Sequence, residues 1–171
     1  MDIFPALHTP RLHLRRIEVE DIPALVRYAN NRKISEYILN IPHPYGEPQA
    51  VFRISYVVQG FKNRTRYVFA IVPKASGELI GEISLHLENK TTAQLGYWVG
   101  EPFWNQGIAT EAIGAVLKFG FEKLYLGLIY ATCHEENGAS GKVLLKNGLM
   151  RHHTNGSVEQ YRIYRKQNEN E

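Results

Sequence analysis

The sequence predicts a mixed α+β domain, and three observations carry that prediction. Four strand-like segments precede position 100: two alternate apolar and polar residues, the mark of half-buried strands, and two more read as a hairpin. A helical pattern then separates the fourth segment from a fifth, so those two strands run parallel when they are neighbours. A second helical pattern and a hairpin signal around Asn155-Gly156 close the chain. With 171 residues the chain is close to one domain in length and buries one substantial core. A single domain is therefore expected over 1–166, followed by a polar tail over 167–171.

Taken in order, Leu12 and Leu14 alternate with Arg11, His13 and Arg15 to give the first strand. Glu18-Val19-Glu20-Asp21 puts acidic residues at a helix start, where the peptide dipoles favour them, and Pro23 suits a first turn. Ile22, Leu25, Val26 and Ala29 form the apolar stripe of that helix, which ends near Asn30-Asn31. After a short helical piece from Ile34, the run IPHPYGEP interrupts regular structure with its prolines and glycine. A helix over 49–60 presents Val51, Ile54, Ser55 and Val58 on one face. Strands over 67–72 and 79–87 make a hairpin, and a polar turn at Glu88-Asn89-Lys90 leads to a strand over 93–99. The next helix is read from Thr110 through Ile113, Val116, Leu117, Gly120, Phe121 and Leu124. A strand over 128–133 follows, then a helix over 138–146 closed by Asn147-Gly148 as a left-handed cap. Strands over 150–154 and 158–164 complete the domain.

Composition narrows the function. A formal charge of +3 and a pI near 8.9 suit a polyanionic ligand but are too mild to announce nucleic-acid binding. The run FKNRTRYVF interleaves Lys62, Arg64 and Arg66 with Phe61 and Tyr67 as single-strand binders do, yet it is short and reads as a solvated loop, so no nucleic-acid partner is expected. Cys133, the single cysteine, excludes an internal disulfide and reads as a small core residue. No zinc-type spacing occurs, and adjacent His152 and His153 on a strand point to opposite faces, so no metal is expected. MDIFPALHTP carries neither a signal peptide nor a membrane span, which makes a cytoplasmic setting without a membrane partner the expectation. Gly141-Lys142 is not a P-loop, because Glu136 and Val143 stand where the motif needs glycine and Ser or Thr.

Most of the functional information lies in AQLGYWVGEPFWNQGIATEAIGA, residues 93–115, a strand, a glycine-containing loop and a helix. Such a unit binds anions, because a helix start leaves about four unpaired N–H groups and roughly half a positive charge. Gly107 removes the Cβ that would keep a phosphate away, and Ala109 is the next smallest residue. Trp104-Asn105-Gln106-Gly107-Ile108-Ala109 resembles the acyl-CoA loop of the GNAT superfamily of N-acyltransferases, (Gln/Arg)-x-x-Gly-x-(Gly/Ala), with Trp104 in the first position. FWNQGIATEA resembles more closely the Rim-type branch, whose loop commonly reads tryptophan-glycine-lysine-glycine-tyrosine-alanine-threonine-glutamate-alanine. Here Asn105 replaces the first glycine and Gln106 the lysine. TPRLHLR resembles the opening strand of that branch, and NGASGKVLLKNGL resembles Asn-x-x-Ser-x-Arg-Val-Leu-x-Lys-x-Gly-Phe, with Lys142 and Leu149 as departures.

The resemblance spans almost the whole chain and implies the GNAT fold: a mixed, mostly antiparallel sheet with a parallel pair splayed at the acyl-CoA site and helices on both faces. It implies acetyl-CoA as co-substrate and transfer of acetyl to an amine, the acceptor being a protein N-terminus, a peptide or a small molecule, with a homodimer left open. Cofactor contacts would come from Trp98, Val99, Asn105, Gln106, Gly107, Ile108, Ala109, Thr110 and Asn137. Asn137 by itself reads as a helix N-cap. Ser140, near the CoA sulfur in the family, is the general-acid candidate, since Leu144 occupies the position of the tyrosine used elsewhere in the superfamily. The family often places a glutamate just before Leu-Gly-Tyr, but Gln94 stands there and cannot accept a proton. Glu82, His86 and Glu101 are the nearby alternatives; Glu82 and His86 share one face of their strand and read more simply as solvated strand residues. Tyr45, Phe52 and Tyr56 are candidate walls of the acceptor pocket. Two rivals stand beside this reading: an acyl-CoA-binding module that has lost catalysis, and a nucleic-acid-binding domain.

Overall fold

The computed structural model describes residues 2–38 and 40–167, with the backbone alone for 153–155. His153 of the predicted histidine pair and residues 168–171 of the predicted tail therefore lie outside the described side chains or residues. Eight strands, β1 (Leu7–His8), β2 (Leu12–Arg16), β3 (Arg66–Pro73), β4 (Gly81–Leu87), β5 (Thr92–Val99), β6 (Leu128–His134), β7 (Met150–Asn155) and β8 (Val158–Tyr164), form one sheet in the order β1-β2-β3-β4-β5-β6-β8-β7. All neighbours are antiparallel except β5 and β6, which are joined by the crossover helix α4 (Ile108–Glu122).

The strands sort their side chains by alternation. In β3, Phe69 and Ile71 join one core with Leu14, Leu85, Ile113 and Val116, while Val68, Ala70 and Val72 join a second with Leu25, Val57 and Trp98. The sheet is thus covered on both sides, which explains the unbroken apolar run YVFAIV. Helices α4 and α5 (Gly138–Lys146) lie on the first face. On the other lie α1 (Ile22–Ala29), α2 (Arg32–Ser35) and α3 (Glu47–Lys62). Helix α5 ends as expected: Gly148 adopts φ +85, and the Leu149 and Gly148 N–H groups donate to Leu144 and Leu145 carbonyls (3.2 and 3.0 Å). Among the described residues no helix is long and apolar enough to cross a membrane.

Several local expectations are corrected. Strand β1 was not anticipated, because two residues are too few to show a period. Helix α4 begins two residues before Thr110, directly after Gly107. Helix α3 turns Ala50, Val57 and Gly60 inward, and leaves Val51 and Val58 exposed at 52% and 45%. Small residues at Ala50 and Gly60 admit close approach to the sheet, and Arg53, three residues after Ala50, shares the inward side. The basic aromatic run does not offer a stacking platform: Phe61 packs edge-on against Phe4 (5.0 Å) and Tyr67 (5.8 Å), and Arg64 pairs with Asp2.

Candidate active site

Strands β5 and β6 are paired only from Thr92↔Leu128 to Gln94↔Tyr130, and then part. The phase of β5 decides which groups face the gap. Glu88 N–H donates to the Thr92 carbonyl (3.0 Å) and Gly100 N–H to the Ile80 carbonyl (2.7 Å), so even-numbered residues of β5 bond toward β4. Thr91 points the other way, its carbonyl accepting from Gly127 and Leu128 (2.8 and 3.0 Å). By the same alternation Tyr97 and Val99 present their main-chain groups to the gap. The Val99 carbonyl is taken by the Trp104 indole N–H (2.6 Å), which leaves its N–H. Trp98 falls on the β4 side instead: its side chain is buried on the α3 face, and its indole N–H donates to Glu82 Oε2 (2.6 Å). Of the two strand residues expected at the cofactor, Val99 faces the gap and Trp98 does not.

One end of the gap opens on the loop before α4. Asn105 (φ +60) and Gly107 (φ +75) are both left-handed, a backbone that turns N–H groups toward one concave side. Gly107 is the N-cap of α4 and no side chain caps that helix, so the N–H groups of Ile108, Ala109 and Thr110 have no helical partner. The Ile108 side chain is buried and serves as anchor, so the backbone is what it offers a ligand. Gln106 turns its side chain back to the Pro102 carbonyl (3.3 Å).

Two residues that sequence reasoning missed hold this loop. Glu111 in the first turn of α4 accepts from the Thr9 hydroxyl (2.5 Å), the Arg11 amide (3.0 Å) and Arg11 Nε (2.8 Å). Burial works to raise its pKa, but these donors win and hold it below the ordinary carboxylate value. Arg11 Nη1 then donates to the Gln106 carbonyl (2.8 Å). The opening motif and the ATEA phrase are thus two halves of one clamp, a link between positions 100 residues apart that no local pattern reveals.

At the other side of the gap, Asn137 caps α5 by accepting from the Ser140 N–H (3.4 Å), as its N-cap reading requires. Ser140 Oγ lies 2.5 Å from the Tyr97 hydroxyl. Burial pushes the Tyr97 phenol up to about 12, its bond to Ser140 offsetting part of that rise. At neutral pH the phenol is therefore protonated and able to donate to Ser140 Oγ, leaving the serine proton free to point elsewhere. Tyr97 was read only as a strand residue; its odd register, opposite to Gln94 and Trp98, was the available signal.

The α3 face of the sheet holds the base candidates. Glu82 is 3% exposed rather than solvated, and both its oxygens are occupied, Oε1 by Arg53 Nε (3.1 Å) and Oε2 by Trp98. Burial opposes the charge on Arg53, yet Glu82 outweighs it and raises the guanidinium pKa. His86 is half-buried, opposite Arg66 on β3 and Gln94 on β5. Burial first, then Arg53 and Arg66, lower its pKa and keep the imidazole neutral. Glu101 instead ties the loop to α2 through Lys33 and Asn31 (both 2.6 Å). Across the gap Gln94 Nε2 reaches Thr132 Oγ1 (3.4 Å), and His134, on the same face of β6, lies beside Tyr37 (5.6 Å between centroids).

A splayed parallel pair beside an uncapped, glycine-entered helix is the geometry of the acyl-CoA-dependent acetyltransferases, and comparison with known proteins agrees. Residues 11–150 match the acetyltransferase (GNAT) domain, and the chain belongs to that family of N-acetyltransferases. It is 30% identical over 161 residues to an uncharacterized N-acetyltransferase, YoaA, of Bacillus subtilis (strain 168), covering 93% of this chain and 89% of that one. It is also 37% identical over 76 residues to the ribosomal-protein-serine acetyltransferase of Escherichia coli (strain K12), a match spanning 43% of this chain and 42% of the other. In fold it superposes on RimL, a ribosomal L7/L12 α-N-protein acetyltransferase in complex with coenzyme A, with a TM-score of 0.81 at 18% identity, covering 94% and 98% of the two chains.

Proposed function

We propose that the protein transfers the acetyl group of acetyl-CoA to an α-amino group by direct attack on the thioester. The observation that carries this reading is the parting of β5 from β6 after Gln94, beside the left-handed loop that enters α4. In this reading the pyrophosphate lies against the N–H groups of Gly107, Ile108, Ala109 and Thr110, and Asn105 and Gln106 shape that concavity. The pantetheine arm runs through the gap, bonded by the free N–H groups of Tyr97 and Val99, with Asn137 beside it. Those N–H groups polarise the thioester carbonyl.

The amine nitrogen bonds to the acetyl carbon, the C–S bond breaks, and the departing thiolate takes the Ser140 proton. The proton lost by the amine leaves through water, and water returns one to Ser140. No covalent enzyme intermediate is needed, because holding both reactants supplies much of the rate. The choice of an α-amine follows from the missing base. Gln94 cannot accept a proton, and Glu82 already holds two donors. An α-amino group titrates near 7.7–8.0 against about 10.4 for lysine, so about a tenth of it is nucleophilic near neutral pH and under a thousandth of lysine.

The test compares an α-amino peptide with the same peptide blocked at its N-terminus and carrying a free lysine. kcat/KM is expected to favour the α-amine and to rise with pH along the acceptor's own titration. Preference for lysine, or an enzyme inflection below the acceptor's titration that Glu82 or His86 substitution removes, would sink the reading.

A further inference from the structure

On the α3 face lies a cleft of about 410 Å³, walled by Tyr45, Phe52, Arg53 and Tyr56 and by the prolines Pro42 and Pro48. It joins the gap through a short chain of contacts. Arg53 in its wall bonds Glu82, and Glu82 bonds Trp98 on β5, next to the Tyr97 and Val99 amides. The cleft therefore lies on the side of the sheet opposite α4, its wall tied through Glu82 and Trp98 to the end of β5 that borders the gap.

The charge in this region does not balance. Arg53, with its side chain 13% exposed, pairs with the buried Glu82, while the partly buried Arg66 has no carboxylate partner among the described residues. Glu82 is fully engaged, and His86 between the two arginines is neutral. Arg66 stacks over the Tyr56 ring at 3.6 Å, its Nη2 donates to the Tyr56 carbonyl (3.1 Å), and its buried Nε has no partner. Arg53 gives only Nε to Glu82, and its two terminal nitrogens make no hydrogen bond among the described residues. The remaining walls add donors. The Tyr45 phenol is held protonated by burial and by Glu82, and Gln49 has its carbonyl taken by the Gly46 N–H (2.9 Å), leaving its amide N–H groups. Among the described residues no acidic side chain lines the cleft. A guanidinium with a free fork, held in a half-buried and donor-rich wall, matches the planar two-oxygen geometry of a carboxylate.

The geometry points to a carboxylate-recognising pocket centred on Arg53, so that the preferred acceptor carries an acidic group close to the amine it presents. This rests on the α-amine acetyltransfer reading above and specifies its substrate class. A carboxylate in the cleft would meet the terminal nitrogens of Arg53 that Glu82 leaves unbonded.

The test uses short α-amino peptides with Glu or Gln at the first, second or third residue, all else identical. Both kcat/KM and equilibrium binding to the CoA-bound protein are measured. At one position Glu should exceed Gln by roughly ten- to a hundredfold, the range for a charge-assisted bidentate contact. In the double variant Arg53→Met with Glu82→Gln, which leaves no orphaned charge and keeps an acceptor for Trp98, the ratio should fall to about one. Arg53→Lys, which keeps charge but loses the fork, should retain only part of it. The ratio is internal to each protein, so partial unfolding cancels. A wild-type ratio within about twofold at all three positions, or a Glu preference that survives the double variant, would overturn the proposal. Absence of acetyl transfer would count against the acetyltransfer reading, while the binding ratio alone would still decide this one.

Discussion

Replacing Gly107 by valine should abolish coenzyme A binding and leave a folded protein. Gly107 sits at φ +75, where a side chain costs roughly 1–2 kcal/mol, and a β-branched one falls at the upper end. A Cβ there would lie 3.3 Å from Arg11 Nη2, the far end of a flexible side chain that can yield. Against a typical stability of 5–15 kcal/mol the fold survives, and at about 2–4 °C per kcal/mol the melting temperature without ligand should drop by roughly 2–8 °C. The ligand effect is separate. Coenzyme A at 100 times its Kd stabilises the native protein by about 2.7 kcal/mol, or roughly 5–11 °C. A hundredfold loss of affinity at the same concentration leaves about 0.4 kcal/mol, near 1 °C. Thermal unfolding with and without coenzyme A reads both quantities, and Gly107→Ala separates backbone strain from the bulk of the branched side chain. A folded Gly107→Val variant with an undiminished coenzyme A shift would remove this loop from the binding site.

Two further outcomes are expected. Ser140→Ala should lower kcat by about ten- to a hundredfold with little change in acetyl-CoA affinity, and Tyr97→Phe should do part of the same damage by freeing the serine rotamer. If Tyr97 acts through Ser140, its loss should cost almost nothing in the Ser140→Ala background; equal costs in both backgrounds would make it a packing residue only. His86 gives a pH signature in stability. Its folded pKa lies below the unfolded value of 6.5, so the unfolded chain binds more protons between the two. Stability should therefore be level above that value and fall as pH drops through the folded pKa. Urea midpoints across this window should lose that slope in His86→Gln, and an unchanged slope would mean that other groups titrate there.

What could be read from the sequence is what the backbone decides locally. The strand phase of β5 follows from two-residue alternation, and Gly148 is left-handed because the end of α5 needs a residue without a Cβ. The glycine-entered start of α4 was equally legible, since Gly107 and the helix start are neighbours in the chain. Helix α3 shows where this stops. Its stripes through Val51 and Val58 and through Ala50 and Val57 are both apolar, so hydrophobicity alone does not fix its rotation about its axis. Docking on the sheet fixed it, using the small residues Ala50 and Gly60 and the reach of Arg53 to Glu82, 29 positions away. The same holds for Tyr97 with Ser140 and for Arg11 with Glu111, 43 and 100 positions apart. These polar pairs depend on register across the sheet and on how each helix is seated. Tertiary packing therefore determined which side chains line the cleft on the α3 face and which hold the loop, because a directional hydrogen bond needs both partners placed to within a fraction of an ångström.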